Sequence, residues 1–336
     1  MSMSLILVAP GLLALPPQML AAHVSLGRLA QLAPAPRLAP LGIAAALVDA
    51  LGAPASTPIA PLAALGAGAE PGTHYVAAAD PVHLVADRDD LVLAARVDDL
   101  GTQANALAAT LDAHFAADGA RLAIARPDAW FMRAERAYDV VTTPIDAALG
   151  HGLFPYLPRG ADAVTWKRWL NEAQMLLHEH PVNAAREAQG CLAANGVWFW
   201  GGGTLADAGA LPAIAATAPQ SPLGDLVRGI ARHAGGSGEP LSREETVDRA
   251  LARAATGAHA FAVVVQDAIA SEAALAHFDA HWLAPALARL ARRDVAAVEL
   301  IADGHGVAAR WTAAPATLMR RLLAKRAGPF AAPARA

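Results

Sequence analysis

Short apolar runs alternate with segments of helical periodicity at both ends of the chain. Residues 4–8 form an apolar run that ends at Pro10 and Gly11, which is typical of a central strand buried on both faces. Similar runs at 261–266 and 296–302 lie next to segments of helical periodicity. Because buried parallel strands are joined by helices, this pattern predicts an α/β fold with a doubly wound, mainly parallel sheet.

The middle of the chain has a different pattern, with short β-rich runs and an amphipathic helix. The runs between 74 and 97 are separated at Asp80 and Pro81 and again at 87–90, which predicts an antiparallel meander. The periodicity of 102–115 predicts a helix that covers these strands. We therefore expect a discontinuous α/β core and an inserted, smaller α+β domain, at 1–69 with 190–336 and at 70–189, respectively.

The composition of the 336 residues excludes several classes of protein. Hydrophobic residues make up 55% and charged residues 17%, which excludes an intrinsically disordered chain. The formal net charge of −4 gives no general electrostatic reason to expect nucleic acid or an anionic membrane as a partner. The single cysteine, Cys191, excludes an intramolecular disulfide and a metal cluster of several cysteines.

The beginning of the chain is uncharged and largely apolar, so a signal peptide or a membrane span has to be weighed. A basic region is missing, and Pro10, Gly11, Pro16 and Pro17 interrupt the run. The interruptions come before the run reaches the roughly 20 residues that a bilayer crossing needs. We therefore expect a cytoplasmic protein without a membrane partner.

Polar side chains are concentrated on a predicted helix at 165–180. Residues three or four apart share a helix face, so Asn171, Gln174 and His178 are expected to lie together, facing a cleft or solvent. His178 and His180 are two residues apart and diverge, unlike the pair of a zinc-binding HExxH helix. A metal chelate is therefore not expected on this helix.

Asn183 and Arg186 follow the helix break at Pro181 and allow two interpretations. As site residues, Asn183 fixes a turn and Arg186 offers a bidentate fork to a carboxylate or phosphate. As structural residues, Asn183 caps the next short helix and Arg186 pairs with a neighbouring acid. The residue types alone leave both interpretations open.

An aromatic run at 197–200 leads directly into Gly201, Gly202 and Gly203. Glycines allow backbone N–H groups to approach an anion closely, which favours a ligand loop. The run lacks the lysine of a P-loop and the spacing of a dinucleotide-binding turn. The alternative is a tight exit from a strand beneath bulky indole rings.

Acidic and histidine side chains follow two of the predicted buried strands. Asp267 and the pair Asp303 and His305 come at strand carboxyl ends, where α/β proteins place their site residues. These groups are candidate metal ligands, although Asp303 and His305 also suit a polar turn. His277 and His281 are one helical turn apart, and their aromatic neighbours favour helix packing over a metal site.

Two segments of the chain carry a resemblance to known families. The first is His180-Pro181-Val182-Asn183 with Arg186, and the second is 198–203. These segments resemble the RpfE-type bacterial regulatory proteins. They are also similar to archaeal-type cofactor-independent phosphoglycerate mutases, members of the alkaline phosphatase superfamily. The resemblance implies an alkaline phosphatase-like α/β core with an inserted domain. It also implies two divalent metal ions, such as Mn²⁺ or Mg²⁺, that activate a serine or threonine nucleophile.

The ligand pattern implied by this resemblance is eroded. Pro10 replaces the aspartate expected after the first strand, and the residues after Asp267 provide none of the histidine ligands that would follow it. A two-metal site without several of its ligands binds metal poorly. The remaining candidates are Ser56 or Thr57 as nucleophile, with Asp267, Asp303 and His305 as metal ligands.

The leading hypothesis is a catalytically degenerate relative with a regulatory or binding role and no expected cofactor. Its ligand is a small anionic metabolite or a protein. The alternative is a metal-dependent phosphotransferase or phosphoglycerate mutase that acts on a phosphorylated carboxylic acid. Under the leading hypothesis the binding residues are His178, His180, Asn183, Arg186, Gly201, Gly202 and Gly203.

Overall fold

The computed structural model describes residues 3–33, 36–87, 90–304 and 306–315. In chain order the strands are β1 (Ser4–Ala9), β2 (Arg37–Ala39), β3 (Tyr75–Asp87), β4 (Asp90–Arg96), β5 (Ala120–Arg126), β6 (Ala129–Ala134), β7 (Gly196–Gly203), β8 (Ile214–Ala218), β9 (Ser237–Pro240), β10 (Phe261–Val265), β11 (Ala297–Gly304) and β12 (Val307–Ala313). The α-helices are α1 (Pro17–Ala22), α2 (Val24–Leu32), α3 (Gly42–Ala50), α4 (Ile59–Gly66), α5 (Gln103–Phe115), α6 (Ile145–Ala148), α7 (Ala163–His178), α8 (Pro181–Ala188), α9 (Pro222–His233), α10 (Val247–Thr256), α11 (Glu272–Phe278) and α12 (Ala284–Arg292).

The chain divides into two compact units. The first combines the residues up to 55 with those from 210 onward, and the second comprises 56–209. These bounds differ from the predicted boundaries at 69 and 190. The strand β7 explains the second difference, since it pairs with β3 and so places 196–203 in the second unit. The inserted-domain organisation stays a prediction.

The first unit is built on a mixed sheet, whose described strands follow the order β2-β12-β11-β1-β10-β8-β9. The pairs from β11 through β9 are parallel, whereas β12 pairs antiparallel with both β11 and β2. The strand β1 lies between β10 and β11, and its residues from Leu5 to Ala9 are completely buried. The expectation of a buried central strand at 4–8 is therefore confirmed.

The helices of the first unit pack on this sheet through apolar faces. The N-terminus of α9 is capped by Ser221, whose hydroxyl accepts the Gly224 N–H at 3.1 Å, and Ser271 caps α11 in the same way. The sequence predicts one helix over 271–292. The structure instead inserts a π-helical turn at Asp279–Leu283 between α11 and α12. Such turns often mark functional sites because they change the direction of side chains within a helix.

The second unit is an antiparallel sheet with helices packed on it. Its described strands follow the order β4-β3-β6-β5, and β7 pairs with β3. The helices α5 and α7 bury a cluster of aromatic rings against the sheet, where neighbouring ring centroids lie 5.6 to 6.1 Å apart. These rings belong to Phe115, Trp166, Trp169 and Phe199. Such tilted and edge-on ring pairs add to the stability gained from burial.

Asp80 and Pro81 do not break the meander as the sequence predicts, because both lie inside the long strand β3. The Pro81 carbonyl oxygen accepts the Val97 N–H at 2.9 Å. Proline has no backbone N–H, and an N–H at this position would point to the same side of β3 as the Pro81 carbonyl oxygen. On that side the neighbouring strand changes from β6 to β4. Asp80 is buried, and its carboxylate pairs with Arg96 at 2.9 Å. Turn-forming residue types are thus accommodated by tertiary partners.

No helix in the described ranges combines the length and the apolar character that a bilayer crossing requires.

Candidate functional site

Asn183 holds together three segments of the second unit instead of facing a cleft. Its side chain is 2% exposed, and its amide nitrogen donates to the carbonyl oxygens of Leu177 at 2.7 Å and Ala194 at 2.9 Å. Its amide oxygen accepts the Ala194 N–H at 2.9 Å. These bonds satisfy both amide hydrogens and the oxygen of Asn183. The side chain therefore joins the end of α7 to the segment that precedes β7.

Arg186 is also directed into the protein. It is 3% exposed, and its Nε donates to the Leu192 carbonyl oxygen at 2.8 Å. Its terminal nitrogens donate to the Gln103 side chain at 2.9 Å and to the Asp99 carboxylate at 2.5 Å. The backbone carbonyl oxygen of Asp99 accepts a further hydrogen bond from an Arg186 terminal nitrogen at 3.4 Å. The guanidinium has five N–H groups, so little capacity is left for a ligand.

His180, and not Asn183, caps the helix α8. Its Nδ1 accepts the Val182 N–H at 3.2 Å, and Pro181 occupies the first helical position, which suits the fixed backbone of proline. Its Nε2 lies 3.1 Å from the Thr110 hydroxyl of α5. Because Nδ1 accepts, the neutral ring carries its proton on Nε2 and donates to Thr110. His178 ends α7 and is exposed.

The glycine triplet lies within the strand β7 instead of forming a loop after it. A side chain at Gly202 would place its Cβ 2.1 Å from the Tyr75 hydroxyl, and one at Gly203 would lie 2.6 Å from Pro58. Gly201 adopts a positive φ of 66° and donates its N–H to the Thr142 hydroxyl at 3.1 Å. The absence of side chains is therefore explained by close packing within the second unit.

Asp267 and Asp303, the candidate metal ligands that the structure describes, lie at strand ends of the first unit. Asp303 is near the end of β11, and its Oδ1 accepts the Gly11 N–H at 2.7 Å. Burial raises the pKa of the Asp303 carboxyl above its ordinary value, although the hydrogen bond from Gly11 acts in the opposite direction. Asp267 follows β10 and is exposed. His305 lies outside the described residues.

Ser56 and Thr57, the candidate nucleophiles, precede α4 in the second unit. Ser56 is exposed, whereas Thr57 is 7% exposed. The Thr57 hydroxyl is buried without a hydrogen-bond partner in the described part of the chain. Pro58 directly precedes α4, and Pro61 lies in its first turn. That turn contains no carboxylate or imidazole side chain that could activate a hydroxyl.

A cavity of about 450 Å³ lies in the first unit beside the carboxyl end of β10. Gln266 follows β10, is 7% exposed, and has a buried Nε2 without a hydrogen-bond partner among the described residues. The sequence analysis predicts the neighbouring Asp267 as a site residue and does not predict Gln266. The position of Gln266 at the carboxyl end of a buried strand is the signal that could have identified it. The polar side chains that line the cavity are Ser242, Arg243, Glu245, Gln266, Asp267, His277 and His281.

A second cavity, of about 410 Å³, lies in the second unit. Asn171 and Gln174 of α7 line it together with Trp198 and the apolar side chains of Leu170 and Phe154. The sequence predicts a polar face of this helix toward a cleft or solvent, and for Asn171 and Gln174 that expectation is confirmed. The other lining residues make this cavity mainly apolar.

No family model matches the chain. A stretch of 65 residues is 42% identical to the 2,3-bisphosphoglycerate-independent phosphoglycerate mutase of Methanothrix thermoacetophila, and covers 19% of this chain and 17% of that enzyme. A stretch of 61 residues is 36% identical to the enzyme of the same name from Methanosarcina mazei, and covers 18% of this chain and 15% of the enzyme. The chain is distantly similar to these mutases. The matched stretches span only a small part of either enzyme.

Two solved structures resemble this one along most of the chain. The PH0037 protein from Pyrococcus horikoshii aligns over 93% of this chain and 87% of its own, with a TM-score of 0.51 and 14% identity, which shows a shared fold. The cofactor-independent phosphoglycerate mutase from Thermoplasma acidophilum DSM 1728 aligns over 94% and 90%, with a TM-score of 0.45 and 17% identity. The RpfE-type resemblance stays a prediction.

The described residues do not fit the two-metal centre that the resemblance to mutases implies. Among them, no group of three or more His, Cys, Asp or Glu side chains is arranged to hold a metal ion. Asp303 uses one carboxylate oxygen for the Gly11 N–H, and Pro10 stands where the first-strand carboxylate is expected. Catalytic metal sites usually have at least three protein ligands.

The raised pKa of Asp303 predicts how stability depends on pH. An acid with a higher pKa in the folded than in the unfolded chain retains its proton longer when folded, so the protein loses stability as pH rises between the two values. Asp303→Asn removes the loss of stability that comes from ionising the buried carboxyl, and it keeps an oxygen that accepts the Gly11 N–H. We expect the variant to gain free energy of unfolding over the wild type from about pH 4 upward.

Urea denaturation at a series of pH values, in the presence of a chelator, measures this gain. Asp267→Asn makes the same change at an exposed strand end and is expected to alter stability by no more than about 0.5 kcal/mol. An Asp303→Asn variant that is less stable than the wild type at pH 7 would show that the ionised carboxylate is needed.

Proposed function

We propose that the chain is a catalytically degenerate relative of the phosphoglycerate mutases with a binding or regulatory role. The observation that carries this proposal is the lack of a metal-ligand cluster among the described residues. Phosphoryl transfer on such a scaffold depends on metal ions to activate the nucleophile and to neutralise charge in the transition state. A scaffold with the fold and without those ligands retains binding as its available function.

The candidate nucleophiles support the same proposal. A serine or threonine hydroxyl is a weak nucleophile unless a base or a metal activates it. The Thr57 hydroxyl is buried and has no hydrogen-bond partner in the described ranges, so no described base is in contact with it. Ser56 is exposed, and two prolines follow it within the next five positions. Among the described residues, neither hydroxyl has a base in contact with it that would activate it as a nucleophile.

The proposed ligand is a small anionic metabolite, with a protein partner as the other outcome. Phosphoglycerate is the substrate in the names of the similar enzymes, so a phosphorylated carboxylic acid is the first ligand to test. The structure supports a location other than the predicted one, since Asn183 and Arg186 are committed to bonds within the protein. We expect the protein to act in the cytoplasm.

A metal analysis combined with an activity assay tests the proposed function. The purified protein is loaded with Mn²⁺, separated from free metal, and assayed for phosphoglycerate mutase and phosphatase turnover, with the Methanosarcina mazei mutase as positive control. We expect well below one tightly bound ion per chain and turnover at the level of the assay background. Two bound ions per chain, with turnover that Asp303→Ala or His305→Ala abolishes, would contradict the proposal and support the mutase alternative.

A further inference from the structure

We propose that the cavity beside the carboxyl end of β10 binds a small phosphate- or carboxylate-bearing metabolite that accepts a hydrogen bond from the side-chain amide of Gln266. The proposal rests on the binding role proposed above and gives that role a site and a class of ligand. The described residues that line the cavity all belong to the first unit. Its volume of about 450 Å³ lies within the range typical of small-molecule sites.

The central observation is the unpaired amide of Gln266. Its backbone N–H donates to the Val8 carbonyl oxygen at 2.9 Å, which fixes the residue at the point where β10 ends beside β1. Its side-chain Nε2 is buried and has no acceptor among the residues that the structure describes. A buried donor without a partner is unfavourable, and most such donors in proteins are paired. A ligand that supplies the acceptor removes this penalty.

The charged groups around the cavity carry no net positive charge, and an anionic ligand would depend on Arg243. Glu245 lines the cavity and pairs with Arg253, so its negative charge is already compensated. Arg243 contributes an exposed guanidinium, which binds phosphate or carboxylate through parallel hydrogen bonds. Asp267 is the remaining acid of the lining and is exposed to solvent.

The helix α11 and the π-helical turn that follows it contribute an imidazole pair and an apolar wall to the cavity. His277 and His281 stack with ring centroids 4.0 Å apart and an angle of 24° between the ring planes. The π-helical turn contains His281 and Trp282. Trp282 and Phe278 are buried and line the cavity, so the ligand would lie against an apolar surface with polar groups around it. This combination is common in sites for small metabolites.

A divalent metal ion fits this cavity less well than an anion. The stacked histidines and Asp267 provide imidazole and carboxylate groups, yet no described group of three such side chains is arranged around a common point. A metal ion would also leave the Gln266 amide hydrogens without an acceptor, because metals bind the amide oxygen and not the nitrogen. The unpaired donor therefore selects a ligand that carries oxygen acceptors.

The experiment measures binding of 3-phosphoglycerate by calorimetry and by the rise in Tm, with EDTA present to prevent metal-dependent turnover. Inorganic phosphate and glycerate separate the phosphate from the carboxylate contribution, and glycerol is the uncharged control. We expect 3-phosphoglycerate to bind and to raise Tm, whereas glycerol has no effect. If no anion of this panel binds to the wild type, the proposal is overturned.

Gln266→Met tests the named donor because methionine replaces the amide with an apolar group of similar length. We expect the unliganded variant to keep or raise its Tm, since an unpaired buried polar group is lost. Its affinity for the ligand should fall about tenfold or more, as expected for a hydrogen bond to a charged group. Arg243→Gln should also weaken binding. Gln174→Met, the same change in the cavity of the second unit, should bind like the wild type.

The results separate failure of the site from failure of the proposed function. A lower Tm of unliganded Gln266→Met with unchanged affinity would assign the amide a structural role and overturn the proposed site. Turnover of 3-phosphoglycerate by the wild type in Mn²⁺ would contradict the non-catalytic role. In that case the affinities for 3-phosphoglycerate measured in EDTA decide about the site. Equal affinities of the wild type and Gln266→Met would overturn the proposed site as well, and a tenfold difference would support it.

Discussion

Asn183→Ala is expected to lower the free energy of unfolding of the protein by about 3 kcal/mol or more. The substitution leaves the carbonyl oxygen and the N–H of Ala194 without their partner, whereas the carbonyl oxygen of Leu177 keeps the His180 N–H at 3.2 Å. Each buried polar group that loses its partner costs about 1–3 kcal/mol. Asn183 is 2% exposed, so water reaches these groups only if the surrounding structure opens. Urea denaturation followed by tryptophan fluorescence measures the loss.

Asn171→Ala is the matched control for this prediction. Asn171 lies on the helix α7 of the same unit and is exposed, so its replacement is expected to change stability by no more than about 0.5 kcal/mol. A small effect of both substitutions, together with loss of ligand binding by Asn183→Ala, would restore the ligand-binding interpretation of Asn183.

Gly202→Ala is expected to destabilise the second unit by about 1–3 kcal/mol or more, because the added methyl group has no space. Its Cβ would lie 2.1 Å from the Tyr75 hydroxyl and 2.6 Å from the ring carbon that carries it. Tyr75 is 5% exposed, and its ring contacts those of Tyr138 and Trp166 at centroid distances of 5.4 and 6.0 Å. The ring therefore cannot move aside without disturbing its aromatic neighbours.

Gly27→Ala controls for the change from glycine to alanine itself. Gly27 lies in the helix α2, and an added Cβ would meet no atom within 4 Å. Alanine is the better helix former by roughly 0.5–1 kcal/mol, so this variant should gain stability. Thermal denaturation of both variants gives the comparison. An unchanged Tm of Gly202→Ala, with altered anion binding, would contradict the packing explanation of the glycine triplet.

The local pattern of the sequence was sufficient to predict elements in both units. The apolar run at 4–8 became the central strand β1, since a strand buried on both faces has to be apolar throughout. The helix predicted over 102–115 is α5, whose apolar positions face the core. These elements were predictable because their burial follows from residue type and periodicity alone.

The errors arose where distant parts of the chain decide the local structure. Asp80 and Pro81 have the composition of a turn, and their position inside β3 depends on Arg96 and on the partner strands. A polar residue such as Arg186 indicates hydrogen bonding without revealing whether a ligand or the protein supplies the acceptor. Its acceptors include Asp99 and Gln103, more than 80 positions away.

The candidate site illustrates the same limit of local patterns. Gln266 is the last residue of the strand predicted over 261–266, and its residue type carries no sign of an unpaired amide. That property arises only when the segments 241–245 and 274–282 enclose the end of β10. Asp267 was predicted as a metal ligand because carboxylates commonly bind metal ions, whereas its side chain is exposed in the structure.

A crystal structure of the protein soaked with Mn²⁺ and 3-phosphoglycerate, with anomalous data recorded for manganese, tests the central claim most directly. We expect no pair of manganese peaks at the strand ends of Asp267 and Asp303, and phosphoglycerate density with an oxygen within about 3.2 Å of the Gln266 Nε2. Two manganese peaks held by Asp267, Asp303 and His305, with the ligand bound to them, would contradict it.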